Sequence, residues 1–230
     1  MYIDDAAPKN PAPYMDFQRR YVQGLPQLDP VLDTFVETFA SLYDIYEPFI
    51  ANFVISSALE FVTVCSVEHT IRPFTPISRP VRFPWFLRSR AGANIVFGLL
   101  AFPRSGNHDV SACLRALPDI EYSVAGTNDL LSYVVTFPLC GGITMNDIRF
   151  YKEQLADESE TYVHRRANIE GKTLLQTLSE IKTEIIHANE NVLDILTRFG
   201  NEATVKAWQQ WEYGYMYVTY VISPYESNKC

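Results

Sequence analysis

Apolar residues recur at steps of three and four positions over most of the chain, which is the spacing of one face of an α-helix. The clearest run extends from Leu174 to Phe199 and stops at the pair Gly200–Asn201, a common helix ending. Five further runs of this kind begin near Val31, Phe49, Trp85, Ser111 and Glu202. Alternation with a period of two occurs in one short segment, Tyr133–Thr136. The pattern therefore predicts an all-α architecture.

Two of these runs have features that bear on function. The run from Trp85 to Phe102 is interrupted at residues 91–94, which predicts a kinked or broken helix. The last run carries Trp208, Trp211 and Tyr215 on one face. These three aromatic side chains can pack in the core or line an apolar pocket, and the sequence leaves both interpretations open.

Composition and charge restrict the class of protein. The chain has 230 residues, of which 47% are hydrophobic, and this is enough for one packed domain. The formal net charge of −8 argues against a broad nucleic-acid surface. The cysteines form no CxxC pair, and the apolar runs are broken within about a dozen residues, too short for a bilayer. We therefore expect a soluble, cytoplasmic protein with no nucleic-acid partner and no stable membrane insertion.

Two groups of oxygen-bearing side chains are candidates for binding a hard cation. Asp4 and Asp5 are adjacent, and carboxylates of this kind bind Mg²⁺ together with substrate phosphates. An Asp–Asp pair on its own is more often a solvated turn. Asn128 and Ser132 are four positions apart and so share one helix face. A third oxygen ligand is expected at position 136, where the chain has threonine.

The missing ligand occurs later in the chain. Omission of residues 133–149 joins Asn128–Ser132 to Phe150–Glu153 and produces the string NDLLSFYKE. This string resembles the Asn–Ser–Glu metal motif of the trichodiene synthase family of fungal sesquiterpene cyclases. The segment Tyr2–Asp5 is similar to the aspartate-rich motif of the same family.

The order of the elements and the stretch Phe83–Leu87 also resemble this family, and the resemblance extends from Met1 to about Tyr225. It implies a class I terpenoid synthase helical bundle, with residues 1–230 forming a single, incomplete cyclase domain. Family members carry several helices before the aspartate motif, so we expect the N-terminal helices of the bundle to be missing. The implied activity is a Mg²⁺-dependent cyclase that ionises and cyclises farnesyl diphosphate and releases diphosphate. Three Mg²⁺ ions are expected, and the family often forms homodimers.

The resemblance also implies roles for individual residues. Asp4 and Asp5 would both be catalytic residues. Asp4 would bind the metal directly, and Asp5 would support it without binding the metal. Lys152 would contact the diphosphate as a point charge. Tyr225 stands at the tyrosine of the C-terminal Arg–Tyr pair of the family, which senses the diphosphate. The implied metal ligands are Asp4, Asn128, Ser132 and Glu153.

The chain departs from the family at positions that carry charge. Ser56 and Pro224 align with arginines of the family, so two diphosphate-binding cations are expected to be absent. A catalytically inactive, truncated homologue is therefore the alternative prediction. A helical binding module that has kept the fold is a third.

Residues 133–149 separate the two halves of the metal motif. We interpret them either as an intron-derived segment or as a true insertion, in which Pro138 and Gly141–Gly142 would break the helix. A second register pairs Asn146 with Glu153, but its middle position is Phe150, which cannot bind metal.

Overall fold

A computed structural model of the chain describes residues 3, 6–7, 9–70, 82–91, 93–131, 134–136, 149–150 and 161–222. For residues 68–70, 134–136, 149–150 and 217–222 it describes the backbone only. The helices are α1 (Ala12–Met15), α2 (Phe17–Val22), α3 (Pro30–Ile45), α4 (Pro48–Thr70), α5 (Phe83–Ala91), α6 (Asn94–Leu99), α7 (Val110–Leu131), α8 (Tyr162–Glu170), α9 (Leu174–Phe199) and α10 (Glu202–Ile222). A 3₁₀ turn at Arg104–Gly106 lies between α6 and α7. The all-α prediction is confirmed, with one short strand pair added.

Helix α9 shows how local sequence sets helix boundaries. The Thr173 side chain accepts a hydrogen bond from the Gln176 backbone N–H, and the Gln176 side chain accepts one from the Thr173 backbone N–H. This reciprocal pair satisfies two amide groups that the first turn cannot bond internally. The helix ends before Gly200, so the observed span agrees with the apolar run in the sequence.

Helix α7 lies at the centre of the fold because two glycines allow close contact. A Cβ atom built on Gly126 would lie 2.7 Å from Cγ1 of Ile185 in α9. A Cβ atom on Gly98 of α6 would lie 2.2 Å from Cγ2 of Ile120 in α7. Both isoleucine side chains are completely buried. The absence of side chains on these glycines allows α6 and α9 to pack closely against α7 at two different positions.

The predicted break near residues 91–94 is confirmed. Helix α5 ends at Ala91 and α6 begins at Asn94, and between them Ala93 has a φ of 47°. The buried Asn94 side chain donates to the backbone carbonyls of Arg88 and Ser89, at 3.2 and 3.5 Å. These bonds occupy carbonyls at the C-terminal end of α5 and hold that end in place.

Helix α4 corrects one sequence expectation. The segment Pro48–Val67 is long and apolar enough to cross a membrane by length and composition, although the sequence was expected to contain no such run. In the fold, 61% of its most apolar window is buried. Its residues Ala51 and Val54 belong to the core formed with α6 and α7. The internal pair Ser56–Ser57 lies within this helix and does not end it.

The short alternating segment of the sequence forms a strand. β1 (Val134–Thr136) pairs antiparallel with β2 (Arg149–Phe150), with Val134 opposite Phe150. Paired strands lie about 5 Å apart. The chain enters β1 three residues after the end of α7, and β2 lies beside β1 with Phe150 opposite Val134.

Candidate active site

The structure places one of the seven residues implied by the resemblance. Asn128 lies in the last turn of α7 and is partly buried. The other six lie outside the described residues: Asp4, Asp5, Ser132, Lys152, Glu153 and Tyr225. Their roles stay predictions, and the site is described below from Asn128 outward.

Arg88 of α5 is the basic side chain beside Asn128. Its Nη2 donates to Asn128 Oδ1 at 3.2 Å. Its Nε lies 2.7 and 2.8 Å from the two carboxylate oxygens of Asp129. The Arg88 and Asp129 side chains are only 14% and 15% exposed. One guanidinium therefore bonds two consecutive side chains at the end of α7.

The same guanidinium also bonds the backbone of α7. Arg88 Nη2 donates to the Ala125 carbonyl at 3.2 Å, within the last turns of the helix. A positive charge here complements the negative end of the helix dipole. Burial raises the pKa of the Asp129 carboxyl, and the charge and hydrogen bonds of Arg88 oppose that rise. Arg88 thus stabilises the carboxylate form of Asp129.

A second α5–α7 contact lies further along the same two helices. The rings of Trp85 and Tyr122 have centroids 4.8 Å apart, and the Tyr122 hydroxyl donates to Glu184 of α9. Arg166 of α8 bonds both oxygens of Glu184, at 2.7 and 2.8 Å. Burial opposes ionisation of Glu184, but the bonds from Arg166 and Tyr122 hold the pKa of this carboxyl below its usual value. A cavity of about 410 Å³ lies beside this cluster, and in its lining Arg166 pairs with both Glu170 and Glu184.

An apolar cavity of about 210 Å³ lies between α3, α4 and α6. Its lining includes four phenylalanine side chains and Ile3, the residue directly before Asp4 in the sequence. Aromatic faces stabilise nearby positive charge, and an apolar lining excludes water. The phenylalanines are Phe35, Phe39, Phe61 and Phe97.

The aromatic face of α10 packs against the core that contains Trp208. Trp208 is completely buried and stacks on Trp211, with ring centroids 5.0 Å apart. The ring centroids of Trp208 and Phe102 lie 6.5 Å apart in the core. Of the two interpretations offered by the sequence, core packing is therefore correct for Trp208. Tyr215 is only partly buried, and its ring lies 6.2 Å from that of Phe97, which lines the apolar cavity.

Comparison with known proteins identifies the family. The family model described as trichodiene synthase (TRI5) matches residues 1–223. The chain belongs to the trichodiene synthase family. The matched region includes Asp4–Asp5 and both halves of the split motif.

Three curated relatives illustrate the range of similarity. Terpene synthase BipA of Cochliobolus sativus is 28% identical over 219 residues, which cover 94% of this chain and 62% of that protein. Monoterpene synthase 25 of Postia placenta is 29% identical, with coverage of 88% and 55%. The (E)-beta farnesene synthase of Metarhizium brunneum is 30% identical, with coverage of 85% and 55%. The chain thus spans between about half and two thirds of the length of these relatives.

Sequence reasoning missed Arg88. The resemblance places Ser56 at the position of a family arginine, so the sequence predicts no cation there. In the structure Ser56 is an exposed residue of α4, whereas Arg88 bonds Asn128 directly. A usable signal was present, since Arg88 immediately follows Phe83–Leu87, a stretch that itself resembles the family.

The chemistry of the predicted ligands fits Mg²⁺, because carboxylate, carboxamide and hydroxyl oxygens are hard donors. Of this set the structure describes Asn128 alone. Within the described parts of the chain, no group of three or more His, Cys, Asp or Glu side chains could hold a metal ion. Asp129 follows Asn128 directly, and both of its carboxylate oxygens accept hydrogen bonds from Arg88.

Proposed function

We propose that this chain is the catalytic part of a Mg²⁺-dependent sesquiterpene cyclase that ionises and cyclises farnesyl diphosphate and releases diphosphate. The observation that carries the proposal is the family match over residues 1–223, which contains all four predicted metal ligands and Lys152 but not Tyr225. The matched relatives include a monoterpene synthase and a farnesene synthase, so geranyl diphosphate is the competing substrate. A cytoplasmic location and a homodimer belong to the same proposal.

The roles of the residues follow from their chemistry. Bound Mg²⁺ would supply Lewis-acid stabilisation of the departing diphosphate. Asn128 offers a carboxamide oxygen to the metal, and Lys152 offers a positive charge to the diphosphate. The apolar cavity between α3, α4 and α6 offers aromatic faces to the allylic cation and excludes water from it.

One observation favours the alternative, a catalytically inactive homologue. Helix α7 ends at Leu131 and β1 begins at Val134, so the helix does not continue toward a ligand four positions after Ser132. Glu153 lies 21 positions after Ser132 in this chain. The position four residues after Ser132 is Thr136, which lies in β1 and not on a continuation of α7.

The experiment compares the 230-residue chain with a variant that lacks residues 133–149. Each is incubated with farnesyl or geranyl diphosphate, with and without Mg²⁺, and both diphosphate release and hydrocarbon products are measured. Asn128→Ala in each background is the control that removes one metal ligand. Mg²⁺-dependent farnesyl cyclisation by the chain itself supports the proposal, and activity of the shortened variant alone assigns the loss to the segment. If neither protein releases diphosphate, the chain is an inactive homologue.

Transcript sequencing through codons 132–150 tests the origin of the segment. A mature message without codons 133–149 supports an intron. A message that retains them supports a true insertion.

A further inference from the structure

Arg88 donates to the Asn128 carboxamide oxygen, and Asp129 in turn holds the Arg88 guanidinium. We propose that these two residues are positioning residues that fix the Asn128 side chain for Mg²⁺ binding. The proposal rests on the proposed function, in which Asn128 is a metal ligand. It adds Arg88 to the predicted site and gives a role to Asp129, the second residue of the string NDLLSFYKE.

The first step concerns the direction of the carboxamide. A guanidinium has hydrogen-bond donors only, so the group that Asn128 turns toward Arg88 must be its oxygen. The contact of 3.2 Å between Arg88 Nη2 and Asn128 Oδ1 has this arrangement. The reverse orientation would place the amide N–H groups against other donors. Because a carbonyl oxygen has two lone pairs, the same Oδ1 can accept from Arg88 and still bind a cation.

The second step concerns the rigidity of Arg88. Asp129 holds its Nε through both carboxylate oxygens, at 2.7 and 2.8 Å. The Ala125 carbonyl accepts from Nη2 in the same region of α7. All of these partners stand on the helix that carries Asn128, so the guanidinium keeps its place relative to that residue.

The third step concerns the support of Arg88 from its own helix. Asn94 is 1% exposed and donates to the Arg88 carbonyl at 3.2 Å, which holds the backbone of Arg88 at the end of α5. Side chains that orient a metal ligand commonly change metal affinity by about 10- to 100-fold when they are replaced. We therefore expect Arg88 and Asp129 to influence Mg²⁺ affinity without contacting the metal.

The first measurement follows Asn128 itself and needs no metal. In the ¹⁵N-labelled chain, the side-chain amide signals of Asn128 are identified by their loss in Asn128→Ala. We expect Arg88→Lys and Asp129→Asn to shift these signals, because each variant changes the group that Oδ1 faces or the anchor of that group. Asp129→Asn keeps the size of the side chain, so this variant still tests the proposal if Arg88→Lys fails to fold.

Arg166→Lys is the matched control. Arg166 has the same exposed fraction as Arg88, 14%, and likewise bonds acidic side chains, but on α8 and α9. We expect this variant to leave the Asn128 signals unchanged even if it lowers the melting temperature. Unchanged Asn128 signals in folded Asp129→Asn and Arg88→Lys would overturn the proposal.

The second measurement is Mg²⁺ affinity in the presence of inorganic diphosphate, determined by calorimetry. Asp129→Asn is expected to weaken binding about tenfold or more in the wild-type background. In the Asn128→Ala background it is expected to have no further effect, because Asp129 acts through Asn128. An equal weakening in both backgrounds contradicts the proposal. If the wild-type chain binds no Mg²⁺, the proposed function fails, whereas the amide signals still decide whether Arg88 and Asp129 orient Asn128.

Discussion

Replacement of Arg88 by methionine tests the energetic role of its ion pair with Asp129. The change removes the guanidinium and leaves the Asp129 carboxylate in a site where its side chain is 15% exposed. Arg88 is also the residue that bonds both Asp129 oxygens, at 2.7 and 2.8 Å. Loss of one partner from a buried ion pair costs about 3–5 kcal/mol, since the remaining charge is neither hydrated nor paired.

This loss is large compared with the stability of a typical domain, which is about 5–15 kcal/mol. The assay is urea denaturation at neutral pH, followed by circular dichroism of the helices. The double variant Arg88→Met with Asp129→Leu removes both charges and is expected to recover at least half of the lost stability. It will not recover all of it, because the bonds from Arg88 to Ala125 and Asn128 are also lost.

Two results would refute the reasoning. The first is an Arg88→Met variant whose free energy of unfolding lies within about 0.5 kcal/mol of the wild type, the range of an ordinary surface substitution. The second is a double variant as unstable as the single one, which would show that the stranded carboxylate is not the cause. Replacement of Arg198 by methionine is the control, because its bridge to Asp194 is exposed and such pairs contribute less than about 1 kcal/mol.

Three further predictions concern packing, pH and helix capping. Gly98→Ala is expected to destabilise the fold by about 1–3 kcal/mol, because the new methyl group would contact Cγ2 of Ile120. Ile120→Leu removes that Cγ2 methyl group and is expected to reduce the loss. If the two substitutions have additive effects on the free energy of unfolding in denaturation, this reasoning is contradicted. Burial raises the pKa of the Glu212 carboxyl, so wild-type stability falls as pH rises through that pKa. The stability of Glu212→Gln relative to the wild type should therefore be greater at pH 7.5 than at pH 4.5. A difference in free energy of unfolding between the two proteins that does not change with pH would contradict this prediction. Thr173→Ala should cost about 1 kcal/mol in thermal unfolding by loss of the capping box of α9, whereas no loss would show that the cap is not needed.

Local signals in the sequence account for most of the helices. The span Leu174–Phe199 followed from its apolar period and its glycine stop, and the break near Ala93 followed from small residues inside an apolar run. The strand Val134–Thr136 coincides with the one alternating segment of the sequence, although the all-α prediction included no strand there. These features depend on residues that are close together in the sequence, so the spacing of residue types is enough to predict where they occur. The motif residues likewise indicated the family, because they form a recognisable pattern once the intervening segment is omitted.

Contacts between distant parts of the chain were decided by the tertiary structure alone. Arg88 and Asp129 are 41 positions apart, and no spacing rule joins a residue of α5 to one of α7. The segment Pro48–Val67 has the length and composition of a membrane span, and only its burial in the bundle identifies it as a core helix. Trp208 and Tyr215 share a helix face in the sequence, yet one is completely buried and the other approaches a cavity residue. In each case the deciding quantity is which helix packs opposite, and that depends on the whole fold.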